Sequence, residues 1–440
     1  MDILIKIAQL FLCFTILVGI HELGHFLMAR AFKIRVEKFY IFFDPWFSLF
    51  KFKRGDTEYG LGWLPLGGYV KIAGMIDESM NKEQMKQPVK PDEFRAKPAW
   101  QRLLVMVAGV MMNVLLAIVI YCAVCYTWGD SYFSNQDAKW GYNFNPTAHE
   151  MGFRDGDRFV SIDGEEIDNV MRVQNDLLIT DGGRRVGGER GGEPVTLDIP
   201  FESLLRMRQE KAYEDLFTLR LPFIVDSVSY TSAVEAGLQS GDEVVAIDDL
   251  RDADYPRYRD YLQKHKNDKV LLTVRRDGAL IDSLALPVDA EGRIGVTVTN
   301  PYSLRTQYYT FWESIPAGIH KAGKTISSYW DQLKLIVQPK TKMYEELGGF
   351  VAIGSIFPGS WDWHDFWLKT AFLSIILAVM NLLPIPGLDG GHALFTLWEI
   401  ITRCKPSEKF LEVAQYVGLM IILALLVYAN GNDIYRFFIK

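Results

Sequence analysis

Charged and apolar residues fall along this chain in blocks rather than evenly. Four stretches, at about 3–28, 103–126, 366–383 and 411–428, are almost wholly apolar. Each approaches the roughly 20 apolar residues a helix needs to cross a bilayer core, so the pattern predicts four transmembrane helices. Between the second and third stretches, polar and apolar positions mix as they do in soluble proteins. The expected fold class is a polytopic α-helical membrane protein with a large soluble insertion.

The first stretch lacks a positively charged n-region and a clear small-residue cleavage site, and Arg30, Lys33, Arg35 and Lys38 follow it. It is expected to be a retained helix rather than a signal peptide. The connection 29–102 is rich in lysine and arginine, whereas the first residues after the second stretch offer only Lys139. The positive-inside rule therefore places 29–102 in the cytoplasm, and both termini and the soluble insertion outside. Arg403, Lys405 and Lys409, between the last two stretches, then fall inside as well.

Within the insertion, residues 148–163 and 233–248 match at an offset of 85: Ala148/Ala233, Gly152/Gly237, Gly156/Gly241, Asp157/Asp242, Val160/Val245, Ile162/Ile247 and Asp163/Asp248. Each reads as a short helix ended by glycine, a Gly-Asp turn and an alternating strand, and the fixed offset predicts two copies of one β-rich domain. The pattern resembles tandem PDZ domains; Gly164 completes their signature in the first copy and Asp249 departs from it in the second. PDZ domains bind extended chains at a sheet edge, and both peptide capture and steric filtering remain open for these copies. The glycine-rich run 181–194 lacks the G-K-[ST] ending of a phosphate loop and is expected to be a mobile hairpin loop.

The chemistry begins inside the first apolar stretch, where His21-Glu22-Leu23-Gly24-His25 reads H-E-x-x-H. Residues i and i+4 share a helix face, which suits two imidazole ligands to one Zn²⁺ with the glutamate as base. The alternative, a pair of structural histidines, would have to explain three polar side chains near one end of an apolar span. A catalytic zinc takes a third protein ligand. The candidates are Asp389 and His392 in "NLLPIPGLDGGHALF", where Pro384 and Pro386 break the third stretch. Broken backbone at membrane depth is tolerated where it is buried in protein or lines a wet cavity. The predicted topology also brings the ends of the first and third spans to the same membrane face.

Other features are expected to be structural. Cys122 and Cys125 lie inside the second stretch without βαβ context and read as packing residues. Gly109 and Asn113, four apart on one face, read as a helix-packing pair. His149, His265, His320 and His364 read as surface residues. Residues 59–71 alternate around a P-L-G-G turn and predict a membrane-associated β-hairpin, either offering a sheet edge to a substrate or packing on the bundle. Residues 311–335 form an amphipathic pattern interrupted at Pro316, expected at the outer interface.

Together these pieces resemble the site-2 protease family, of the bacterial regulator-of-sigma-E type. The resemblance rests on H-E-L-G-H, "TEYGLGWLPLGGYVKIAG" at 57–74, "RLLVMVAGVMMN" at 102–113, the two PDZ-like copies and N-x-x-P-x-P-x-L-D-G-G-H, in family order over nearly the whole chain. "LGGFVAIG", from Leu347, departs from the S-G-P-I often found there, so no role is carried over to it. The resemblance implies an intramembrane zinc metalloendopeptidase in the bacterial inner membrane, with its active site toward the cytoplasm. By the family pattern His21, His25 and Asp389 are metal ligands, Glu22 is the catalytic base and Asn381 binds the substrate backbone. Implied partners are the lipid bilayer and single-span substrates, such as anti-sigma factors or signal-peptide remnants, with an upstream site-1 protease shedding the substrate's outer domain.

The chain accordingly divides into a first span (1–30), a basic connection with the β-hairpin (31–101), a second span (102–127), two PDZ-like domains (128–220 and 221–300), an amphipathic linker (301–365), a third span (366–386), a connection with L-D-G-G-H (387–410), a fourth span (411–430) and a tail (431–440). The net charge of −7 over 440 residues argues against nucleic acid as a partner.

Overall fold

The computed structural model describes residues 2–65, 67–75, 88–210, 212–213, 215–251 and 254–436. Lys82 and Lys86 of the basic connection and Leu66 of the P-L-G-G turn lie outside them. The chain forms two compact units, Met1–Asp130 with Gln307–Lys440, and Ser131–Thr306.

We number the helices of the first unit α1 (Asp2–Ala31), α2 (Ala99–Trp128), α3 (Phe311–Val337), α4 (Phe350–Ser355), α5 (Trp363–Leu382), α6 (Asp389–Thr402) and α7 (Glu408–Ile434). Among the described residues, α1, α2, α5 and the Lys409–Ile434 part of α7 are long and apolar enough to span a membrane. They bear out the four predicted spans, with the first, second and fourth extended at both ends. Ile3, Leu4, Ile7 and Phe11 on α1, and Val413, Val417, Met420 and Val427 on α7, are exposed. Such continuous apolar surface calls for a solvent other than water.

Helix α2 is the centre of this unit and touches α1, α3, α5 and α6. Small residues bring the backbones together. A Cβ on Gly24 of α1 would stand 2.5 Å from the Ala108 carbonyl oxygen, and one on Gly318 of α3 would stand 2.5 Å from Cys122 Sγ. Cys122 and Cys125 are indeed packing residues without a disulfide. The expected interruption at Pro316 is absent: α3 runs on through it, started by a capping box between Thr310 and Glu313. Proline in the second turn forfeits one ladder bond, and the packing of Gly318 and Ala322 on α2 holds the helix together.

The expected hairpin at 59–71 is a four-stranded sheet instead. Its strands are β1 (Val36–Ile41), β2 (Phe50–Arg54), β3 (Thr57–Leu61) and β4 (Tyr69–Ile72), in the order β2-β3-β1-β4. The strands flanking the P-L-G-G turn do not pair with each other. β1 lies between them, parallel to β3 and antiparallel to β4. Tyr40 of β1 holds the arrangement: it is wholly buried, donates to Glu58 at 2.7 Å and stacks on Tyr69. Among the described residues β4 is left as a sheet edge.

The second unit confirms the internal repeat in three dimensions. Each copy runs short helix, strand, short strand, helix and β-hairpin, from Pro146–Glu150 to Glu193–Ile199 and from Thr231–Glu235 to Ala279–Pro287. Each has its own apolar core. The Gly-Asp turns are built alike. Asp157 takes two bonds of 2.7 Å from Arg190, which also donates to the Gly152 carbonyl. Asp242 is held in the same way by Arg276, which donates to the Gly237 carbonyl. The glycine-rich run is part of this framework rather than a loose loop: Arg184–Arg190 and Glu193–Ile199 pair along their length and reverse at Gly191-Gly192, both at positive φ.

Candidate metal centre

His21 and His25 lie one turn apart on α1, both buried, with rings nearly perpendicular and Nε2 atoms 3.3 Å apart. Asp389 completes the group, its Oδ2 being 3.1 Å from His21 Nε2 and 3.2 Å from His25 Nε2. Among the described residues these are the side chains that converge as metal ligands do. His392 is not one of them. It sits almost one turn further along α6 and lines a neighbouring cavity with Met106, Arg102 and Glu399.

Backbone geometry delivers Asp389. Pro384 and Pro386 prevent α5 from continuing. The chain turns through bonds from Ile385 N to Leu383 O and from Leu388 N to Ile385 O, with Gly387 at φ 100°. Helix α6 then starts at Asp389, so the segment expected as a connection is largely helical. Gly390 and Gly391 let its first turn lie on this bend, since a Cβ there would stand 2.3 and 2.5 Å from the Leu383 and Ile385 carbonyl oxygens. From α7, Gly418 abuts the same bend, where a Cβ would collide with the Pro386 carbonyl.

The opposite wall is α2, where Val105, Gly109 and Asn113 recur every four residues. A Cβ on Gly109 would stand 2.4 Å from His25 Nε2 and 2.6 Å from His21 Cε1, filling the space that the imidazoles occupy. His25 Nδ1 donates to the Val105 carbonyl at 2.8 Å, and Asn113 Nδ2 lies 3.3 Å from His21 Nδ1. The helix-packing expectation for Gly109 and Asn113 holds, and the α1 side chains they pack against are the two candidate ligands. An amide within an apolar span was the available signal for that contact.

Asn381, in the last turn of α5, brings Nδ2 to 3.4 Å from His21 Nε2. Glu22 is buried, and Gly68, just before β4, packs against it: a Cβ there would stand 2.9 Å from Glu22 Cγ. The edge of the sheet therefore adjoins the H-E-x-x-H helix.

The donor set fits a zinc ion. Ligand bonds of about 2.0–2.1 Å at a tetrahedral centre imply ligand–ligand distances of about 3.3–3.4 Å. The observed distances are 3.1, 3.2 and 3.3 Å. Asp389 Oδ2 is moreover buried without a well-directed hydrogen bond, as befits an oxygen whose partner is a cation.

The model of peptidase family M50 matches residues 9–425. The chain is similar to the regulator of sigma E protease of Haemophilus influenzae, 27% identical with 99% of this chain and all of that protein covered. It is also similar to proteins named "Putative zinc metalloprotease" in Xylella fastidiosa strain 9a5c, at 27% identity over 98% of this chain and 99% of that one, and in Clostridium perfringens, at 28% over 96% of each.

Proposed function

The chain belongs to peptidase family M50, the site-2 proteases, and from that premise we propose that this zinc metalloprotease cuts transmembrane segments at a centre held by His21, His25 and Asp389. The observation that carries the reading is the convergence of three ligand atoms, within 3.3 Å of one another, from the membrane-length helix α1 and from the first residue of α6.

Bound there, zinc supplies a Lewis acid that activates water and polarises the scissile carbonyl. Glu22, next to His21, takes the proton of the attacking water and returns it to the leaving nitrogen. The Asn381 amide, beside His21 Nε2, is placed to donate to the substrate's carbonyl oxygen. A helical substrate must first unwind, because its peptide groups are occupied in its own ladder. The edge that β4 presents among the described residues, next to Glu22, offers replacement backbone bonds by strand addition.

We place the protein in the bacterial inner membrane, with the centre toward the cytoplasm and Ser131–Thr306 outside. There the two copies act as PDZ domains that screen substrates already shortened by a first protease. Suitable substrates are single-span proteins such as anti-sigma factors or signal-peptide remnants.

Co-expression with a tagged single-span substrate tests the chemistry. Glu22→Gln should reduce cleavage at least 100-fold, in the range that loss of a general base implies, while leaving bound zinc near one per chain. Equal cleavage by both forms would remove Glu22 from the mechanism.

A further inference from the structure

Both imidazoles present Nε2 to the centre, so both Nδ1 atoms need partners behind them. His25 has a fixed one in the Val105 carbonyl, 2.8 Å away. His21 has the side chain of Asn113, which is wholly buried, 3.3 Å from Nδ1, with its Oδ1 left without a hydrogen bond. The Asn113 backbone is itself pinned, since Ser374 Oγ of α5 donates to its carbonyl at 2.8 Å.

An imidazole that binds a metal through Nε2 carries its proton on Nδ1 and needs an acceptor there, and such partners of ligating histidines tune metal affinity. An amide offers donor and acceptor from nearly superimposable atoms. With Nδ2 toward the ring, Asn113 suits the tautomer whose Nε2–H donates to Asp389. A half-turn about its last side-chain bond brings Oδ1 to the same place and suits the tautomer whose Nε2 lone pair faces a cation. The half-turn also gives the orphaned oxygen a donor.

We infer that Asn113 is a positioning residue whose amide oxygen accepts from His21 Nδ1–H and so sets His21 Nε2 as a zinc ligand. Asparagine suits the position because it serves His21 in either tautomer, where a leucine of similar size serves neither. The inference rests on the reading of His21 as a ligand.

Zinc affinity of the purified full-length protein, measured by competition with a chromophoric chelator, tests it. Asn113→Leu should weaken zinc binding 10- to 100-fold, the usual effect of losing such a partner. Asn113→Asp keeps an acceptor and should stay within about threefold of the parent. The thermal midpoints of the metal-free proteins should agree, and Asn113→Ala replaces the leucine variant should that one not fold. Unchanged affinity in Asn113→Leu overturns the inference, as does an equal loss in Asn113→Asp. The ligand reading fails separately, if the parent protein does not bind one zinc or if His21→Ala binds it as tightly.

Discussion

Single residues decide whether the centre can hold an ion, and glycine is as decisive as the ligands. Gly109 supplies the empty volume facing both rings. Gly109→Ala should abolish stoichiometric zinc, read by elemental analysis. Because alanine favours helix by about 1 kcal/mol over glycine, weakening of α2 could not explain that loss. Asp389→Ala should lower zinc affinity at least tenfold, whereas His392→Ala should leave it within about twofold, read by the same chelator competition. Retained zinc in Asp389→Ala would restore His392 as the third ligand. As a candidate set, His21, Glu22 and His25 were legible because a helical spacing of four is written in consecutive letters. The choice between Asp389 and His392 was not, since three residues apart on a bent segment both qualify until the backbone direction is known.

At the scale of elements, the apolar blocks foretold the long helices because lipid imposes a length. The sheet was harder to read. Alternation identifies strands but not partners, and the insertion of β1 between β3 and β4 depends on Tyr40 finding Glu58 and Tyr69. The repeat was legible for the opposite reason: its turns need glycine and aspartate at set places, and those letters recur. These turns also set an acid limit. Burial opposes the Asp242 charge, but Arg276 and the Gln239 N–H prevail and hold its carboxyl below the usual range. Asp155 and Asp163 are depressed in the same sense against their own burial, by Phe144 N–H with His149 and Arg257, and by the backbone N–H of Arg185 with Arg184. A folded pKa below the unfolded value gives stability that is complete above about pH 4 and is lost as pH falls through the folded pKa. The unfolding midpoint of the full-length protein, followed by fluorescence, should hold from pH 7 to about 5 and drop below about 4. Asp242→Asn should flatten that drop.

Across the whole molecule, the centre draws on residues from both ends of the chain, 364 positions apart between His25 and Asp389. Helix α2 is the shared wall that joins them. α7 stands apart from that arrangement: most of it faces outward, yet Gly418 meets the Pro386 bend that presents Asp389. Its apolar stretch, at about 411–428, is about 27 Å long, close to a hydrocarbon core of about 30 Å. In a thinner bilayer that stretch is too long and tilts, which would shift Gly418 against the bend. Bilayer thickness thereby becomes an input to the geometry of the metal site. Reconstituted into vesicles of graded acyl-chain length, the protein should show a thickness optimum for proteolysis, and Gly418→Ala should displace or abolish it.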